Sequence, residues 1–204
     1  MERIKKELSA APLVAEFIRE EKLVCSPTDT LYGLLGSSLS KAVFTEIYTL
    51  KRRNPEKPLI VLFNSLERAE ELGVLFPEGT KEKLNRIFPE RLTVVLPLKE
   101  NSPLKEITGR GDIAIRIPKD EFLLKVIELS HPLFAPSANP EGGKPAENCS
   151  DCYNYFKDRV SLCVEGKTYG KPSTLVSLLR GKPELLRSGA FPFEKVMEVF
   201  GEKA

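Results

Sequence analysis

The 204-residue sequence has no tryptophan, no glutamine and a single histidine. One histidine leaves no His pair for a metal, and no Ser-His-Asp or Cys-His catalytic set stands out. Long apolar runs are missing too: the longest, such as Leu59 to Phe63, have five or six residues. A membrane helix needs roughly 18, so no membrane association is expected. The N-terminal stretch MERIKKELSAAPLVAEF lacks an apolar signal-peptide core and reads as a helical alternation of charged and apolar residues. A cytoplasmic location with reduced thiols is therefore expected. Neither G-x-G-x-x-G nor G-x-x-x-x-G-K-[ST] occurs, which removes the dinucleotide fingerprint and the Walker phosphate loop. Charge of either sign is nearly balanced, 31 Lys+Arg against 29 Asp+Glu, net +2. A protein that grips long nucleic acid by general electrostatics is usually more basic. Positive charge for any anionic ligand must therefore be concentrated locally. The missing glutamine, beside abundant Lys and Glu, leans toward a heat-adapted protein.

What is present suits one domain over residues 1–204, with a 41% hydrophobic share for a core and a 29% charged share for the surface. No internal repeat or Gly/Ser linker divides it. Leu13, Val14, Phe17 and Ile18 fall on one helical face, and LVCS (23–26) is a short strand running into Pro27. Ser40 caps a helix with the stripe Val43, Phe44, Ile47 and Leu50. LIVLF (59–63), LTVVL (92–96), DIAIRI (112–117) and LFAPS (133–137) read as strands, as do VSLCVE (160–165), TLVSLL (174–179) and 184–187. Helices are expected near 66–72, 80–88, 147–157, from Asp120 to Leu129, and from Phe193 to Phe200. This alternation predicts an α/β fold: a twisted open mixed sheet covered by helices.

Three polar segments stand where strands or helices end, and open α/β sheets bind ligands beyond strand ends. Pro27-Thr28-Asp29-Thr30-Leu31-Tyr32-Gly33 is either an Asx/ST turn or a binding turn. Lys51-Arg52-Arg53-Asn54-Pro55-Glu56-Lys57 carries four positive charges against one negative at a helix end. The helix dipole accounts for cations there. Lys51 and Arg53 can instead converge on one phosphate or carboxylate if the helix unwinds and Pro55 and Pro58 stiffen the adjoining loop. In Ala135-Pro136-Ser137-Ala138-Asn139, Ser137 and Asn139 share one side of an extended segment. Gly170-Lys171-Pro172-Ser173-Thr174 places hydroxyls before a strand, and Leu186-Arg187-Ser188-Gly189 places an Arg after one. Arg116 in DIAIRI needs an anionic partner if it faces inward.

PTDTLYGL, Lys51-x-Arg53 and PSAN, followed by PST and LRSG, resemble the YrdC-type family of L-threonylcarbamoyladenylate synthases, the short form, from about Leu13 to Gly189. The resemblance implies synthesis of threonylcarbamoyl-AMP from L-threonine, bicarbonate or CO2, and ATP, with release of pyrophosphate. A separate complex then transfers the threonylcarbamoyl group to adenosine 37 of tRNAs reading ANN codons. It implies a deep basic cavity in which Lys51 and Arg53 are catalytic. Thr30, Tyr32, Arg116, Ser137 and Ser173 would contact threonine, and Arg53, Lys57, Asn139 and Arg187 the nucleotide. Thr28 and Thr174 would support them. Mg²⁺ would arrive with ATP, with no protein metal site. Two departures stand out: Leu62 where many longer members carry His, and Lys57 where they often have Asn.

Two alternatives compete. One is a non-catalytic module for double-stranded RNA or tRNA, which no aromatic stacking cluster supports. The other is a paralogue with different carbamoyl-transfer chemistry, such as hydrogenase maturation; those carry extra segments that 204 residues do not accommodate. Cys149-x-x-Cys152 lacks a second CxxC or His pair to complete a zinc site, so thiols or a disulfide are expected. His131 reads as a structural turn residue.

Overall fold

The computed structural model describes residues 1–54 and 56–201; the part given to Pro55 lies outside the described residues. Ten strands form one mixed sheet, ordered β1-β8-β2-β3-β7-β4-β6-β5-β9-β10. In chain order they are β1 (Glu2–Lys5), β2 (Val24–Pro27), β3 (Tyr32–Ser37), β4 (Ile60–Leu62), β5 (Leu92–Pro97), β6 (Asp112–Arg116), β7 (Leu133–Phe134), β8 (Leu162–Glu165), β9 (Thr174–Ser177) and β10 (Glu184–Arg187). The helices are α1 (Ala11–Arg19), α2 (Lys41–Lys51), α3 (Leu66–Glu71), α4 (Thr80–Asn85), α5 (Pro103–Thr108), α6 (Glu121–Leu129), α7 (Cys149–Phe156) and α8 (Phe193–Phe200). The α/β open mixed sheet is as the element pattern predicts.

The central strands are buried on both faces, which is why their sequences run apolar without a break. Successive side chains go to opposite cores. Val24, Leu35, Leu62, Leu162 and Val164 pack under α1 and α6, while Cys25, Leu34, Val61, Phe63 and Cys163 enter the larger core on the other face. Ser40 and Asp120 cap α2 and α6 as expected, accepting the N–H groups of Val43 and Leu123 at 3.2 Å each.

Four expectations need correction. Residues Glu2–Lys5 form an edge strand parallel to β8 instead of opening a helix. The strand is mostly exposed and charged, so it carries no apolar alternation, and its charges discourage further pairing. Tyr32–Ser37 is a strand that hydrophobic patterning missed because Gly33 and Gly36 dilute it. The α5 turn was not anticipated, although Ser102 caps it and Pro103 stands at its first position. LFAPS shortens to Leu133–Phe134, since Pro136 has no N–H for a ladder; only the Gly33–Ser137 bridge continues the pairing.

Candidate active site

The ends of β2, β6 and β7 open on one cavity of about 120 Å3. Thr28, Thr30, Tyr32, Arg53, Arg116, Ser137, Ser173 and Arg187 line it, eight of the twelve residues expected at a site. The turn after β2 is an ST turn and a cavity wall at once. Thr30 N–H donates to Thr28 Oγ1 at 3.0 Å, and Thr28 Oγ1 donates to Leu31 O at 2.7 Å. With the Thr28 proton committed, Thr30 must donate across the 2.9 Å contact between the two hydroxyls. Thr30 in turn accepts from Arg116 Nη1 at 3.2 Å. The chain of donors runs one way, from guanidinium to backbone carbonyl.

Arg116 does face inward, and its partner is Asp29, with Nη2 3.3 Å from Oδ1 and both side chains buried. Burial lowers the Arg116 pKa from its ordinary value, while Asp29 and then Asp120 oppose that. Asp29 Oδ2 also accepts Lys119 N–H at 3.1 Å, and Asp29 O accepts Arg91 Nε at 2.7 Å. Arg91 lies 4.0 Å from the Tyr169 ring centre, on the loop whose Gly170 N–H donates to Thr30 O at 2.9 Å. Motif reading assigned no role to Asp29 or Arg91. Asp29 had a signal, because it stands between two threonines of the turn and an inward Arg116 demands an anion.

The helix α2 stops at Lys51 because Arg52 adopts a left-handed backbone, φ 49°. That break sends neighbouring cations in different directions. Arg53 reaches the cavity, steadied by Nη2 donating to Pro58 O at 2.8 Å and Nε to Lys57 O at 3.2 Å. Lys51, 1% exposed, instead donates its ammonium to the backbone carbonyls of Ser137 and, at 2.6 Å, Asn139. Burial, then the charge of Arg53, lowers its pKa to about 8. Lys51 thus anchors the PSAN segment and is not among the cavity-lining residues.

Three other expected contacts are placed differently. Tyr32 lines the cavity, but its hydroxyl donates toward Val164 O and Gly166 O at 3.0 and 3.3 Å, and burial raises its pKa to about 12. Asn139 does not share Ser137's outlook. Its Nδ2 donates to Pro140 O and Gly143 O at 2.8 Å each, and its buried Oδ1 has no partner among the described residues. Lys57 is ion-paired with Glu141, whose other oxygen accepts Asn54 N–H at 2.5 Å. These partners hold the Glu141 carboxyl below its usual range. Glu141, unassigned from sequence, clasps the two loops at the cavity mouth.

On the far wall, Ser173 Oγ meets Thr93 Oγ1 at 2.8 Å, and Arg187 Nη2 donates to Ser173 O at 2.9 Å. Gly189 permits this approach, since a Cβ there would lie 2.4 Å from Ser173 C and Thr174 N. Thr174 stays outside the cavity, exchanging hydrogen bonds with the backbone of Phe191. Burial, then the charges of Arg116 and Arg53, lowers the Arg187 pKa. A second groove of about 410 Å3 adjoins the first and shares Arg53, Ile60 and Arg187 with it. Its other walls include Pro58, Val95, Leu175 and Leu186, with Lys57 and Arg110 at the rim. Leu62 lies in the core, so its position sends no polar group into either cavity.

The chain is similar to several known proteins. A threonylcarbamoyl-AMP synthase of Pyrococcus abyssi is 36% identical over 193 residues, covering 93% of this chain and 57% of the relative. One from Bacillus subtilis is 32% identical over 191 residues, covering 92% and 55%. The chain thus spans a little over half the length of these curated relatives. The crystal structure of P. abyssi Sua5 complexed with L-threonine superposes with a TM-score of 0.87 at 36% identity, covering 99% of this chain and 60% of that one. The structure of Escherichia coli YciO shares the fold, TM-score 0.82 at 16% identity, with 96% and 97% covered. The family model for Sua5, YciO and YrdC, described as telomere recombination, matches residues 16–189. The chain belongs to the Sua5/YciO/YrdC family.

Proposed function

We propose that the chain synthesises L-threonylcarbamoyl-AMP from L-threonine, bicarbonate or CO2, and ATP, releasing pyrophosphate. The observation that carries this reading is the convergence of Arg53, Arg116 and Arg187 on one hydroxyl-lined cavity joined to a larger groove. The smaller cavity suits an amino acid, with Arg116 facing its carboxylate and Ser137 and Ser173 its polar groups. The groove's volume falls in the range of nucleotide-sized pockets, and its apolar walls suit a base. Arg53 and Arg187, shared by both, stand where the carbamate oxygen would meet the α-phosphorus. Both reactants are anionic, so bringing them together and neutralising charge is the main catalytic task. No covalent nucleophile is required.

Lys51 then acts through the PSAN backbone, holding Ser137 in place with its ammonium. Among the described residues the smaller cavity is lined by hydroxyls and guanidinium groups without a carboxylate, and the groove's carboxylate, Asp112, is ion-paired with Arg110, which fits a Mg²⁺ ion carried on the phosphates. That ion would neutralise phosphate charge. The product would supply a separate transfer complex acting on tRNA in the cytoplasm.

The test is pyrophosphate release from ATP and bicarbonate with each amino acid in turn. Release with threonine alone supports the synthase. Arg53→Ala should abolish it with little change in melting temperature, because Arg53 is partly exposed and bonds nearby groups, the Lys57 and Pro58 carbonyls and the Tyr48 side chain. Near-normal turnover in that variant sinks the assignment. Salt-sensitive RNA binding without pyrophosphate release would favour the RNA module.

A further inference from the structure

The chain's four cysteines come from three separate parts of the sequence, yet all are buried in the same core cluster. Cys149 opens α7 and is disulfide-bonded to Cys163 on β8, which corrects the expectation of reduced thiols throughout. Cys25 on β2 stands beside Cys163 in the parallel β2–β8 pair. Cys152 comes three residues after Cys149, one helical turn along α7. Cys25 and Cys152 are buried free thiols, and burial first, then Cys152, raises the pKa of Cys25. A bridge beside a resident thiol pair exceeds what packing asks for, since a buried cysteine packs as a small hydrophobe without any partner.

The cluster lies behind the substrate cavity. β8 runs on from Cys163 to Val164, and then to Gly166; the carbonyls of these two receive the Tyr32 hydroxyl. α7 comes after Ala146, whose N–H donates to Ala138 O of the PSAN segment at 2.9 Å. Tyr155 of α7 donates to Lys144 O at 2.9 Å. The Cys149–Cys163 bridge therefore ties the segment behind Tyr32 to the segment behind Ser137, two walls of one cavity.

We propose that the four cysteines form a thiol–disulfide site that sets how firmly the threonine cavity is held: opening the Cys149–Cys163 bridge with a dithiol frees α7 from β8, slackens the PSAN wall and weakens threonine binding. One thiolate of the dithiol attacks a bridge sulfur, the Cys149–Cys163 bond breaks, and the second thiol resolves the mixed disulfide. Two electrons and two protons pass from the dithiol to the cysteines, leaving two protein thiols and the oxidised reagent. The threonine arm rests on the function proposed above; the bridge and its effect on stability do not.

The experiment uses the full chain before and after dithiothreitol, then after reoxidation with a small disulfide. Peptide mapping should find Cys149 linked to Cys163 and two free thiols at first, and four thiols after reduction. Reduction should lower the melting temperature by roughly 10 °C, from the loss of a bridge closing a loop of this size. It should raise the threonine KM about fivefold or more, with kcat changed less. Reoxidation should reverse both. Cys149→Ser and Cys163→Ser should show the reduced values and no further response to the dithiol. The proposal is overturned by a missing Cys149–Cys163 peptide, or by reduction that leaves melting temperature and KM in place. One zinc ion bound tightly by the reduced chain also overturns it, in favour of a metal site. If neither redox state turns over threonine, the synthase reading has failed, while mapping and melting still decide the bridge.

Discussion

Replacing Asp29 with alanine tests the electrostatic base of the site. In the wild type, its carboxylate lies 3.3 Å from an Arg116 guanidinium that is 3% exposed, and it accepts the Lys119 N–H as well. The variant keeps Arg116 buried without that counter-charge. Removing one partner of a buried ion pair typically destabilises by about 3–5 kcal/mol, a range that already includes the orphaned groups. For a chain of this length each kcal/mol moves the melting temperature by about 2–4 °C. Thermal unfolding followed by circular dichroism should therefore show a fall of about 6–20 °C. Arg116→Met alone should also destabilise, because Asp29 is then the buried charge. The double variant Asp29→Ala/Arg116→Met should recover much of the loss, since neither charge stays buried. A single-variant fall below about 2–4 °C, or a double variant showing the sum of both losses, refutes the idea that Asp29 holds Arg116 as its counter-charge.

Other outcomes are equally concrete. Gly189→Ala should destabilise by about 1–3 kcal/mol and raise the threonine KM, because the new Cβ would press on the Ser173–Thr174 backbone 2.4 Å away; a melt and a KM measurement check both. Lys51 titrates near 8 when folded and near 10.5 when unfolded, so between those values the folded chain binds fewer protons and stability rises with pH. The stability difference between Lys51→Met and wild type should therefore shift in the wild type's favour by about 3 kcal/mol between pH 7 and 10.5, read from urea unfolding at each pH. Glu141→Gln should leave melting unchanged, because exposed pairs contribute little, and should lower the ATP KM by freeing Lys57; an unchanged or higher KM refutes a competing role for Glu141.

The sequence announced the central strands because both their faces are buried, and unbroken runs such as LIVLF leave little else to read. It hid β1 and β3 for opposite reasons: β1 faces solvent at an edge, and β3 trades side chains for glycines that let neighbours approach, as at Gly36, where a Cβ would meet Val43 at 2.5 Å. Cavity-lining residues were legible where motif and geometry coincide, as at Thr30, Arg53, Ser137 and Ser173. Arg116 was legible from its place in an alternating strand. Lys51 and Asn139 are not among the cavity-lining residues; residue type reveals chemistry but not direction. Lys51, still in α2, points to the PSAN carbonyls, while the left-handed backbone of Arg52 redirects the chain so that Arg53 goes to the cavity. Glu141 was invisible, since its partners Asn54 and Lys57 lie more than eighty residues away in sequence.

These placements change how a balanced chain can hold anionic substrates. The +3 of residues Lys51 to Lys57 is not all available to a ligand. Lys57 is neutralised by Glu141 and Arg116 by Asp29, and Lys51 is spent on carbonyl dipoles. Arg52 is exposed and lines neither cavity, so Arg53 and Arg187 remain, and among the described residues both are steadied by backbone carbonyls without an ion pair to a carboxylate. Burial first, and then the charges of Arg116 and Arg53, lowers the Arg187 pKa. An anion arriving between Arg53 and Arg187 removes their repulsion as well as adding its own attraction, so the gain is largest where negative charge builds up between the two cavities. In the proposed reaction a carbamate oxygen approaching a phosphate at that junction would be such a charge, and the two unneutralised guanidiniums would stand where the transition state, more than either substrate alone, needs them.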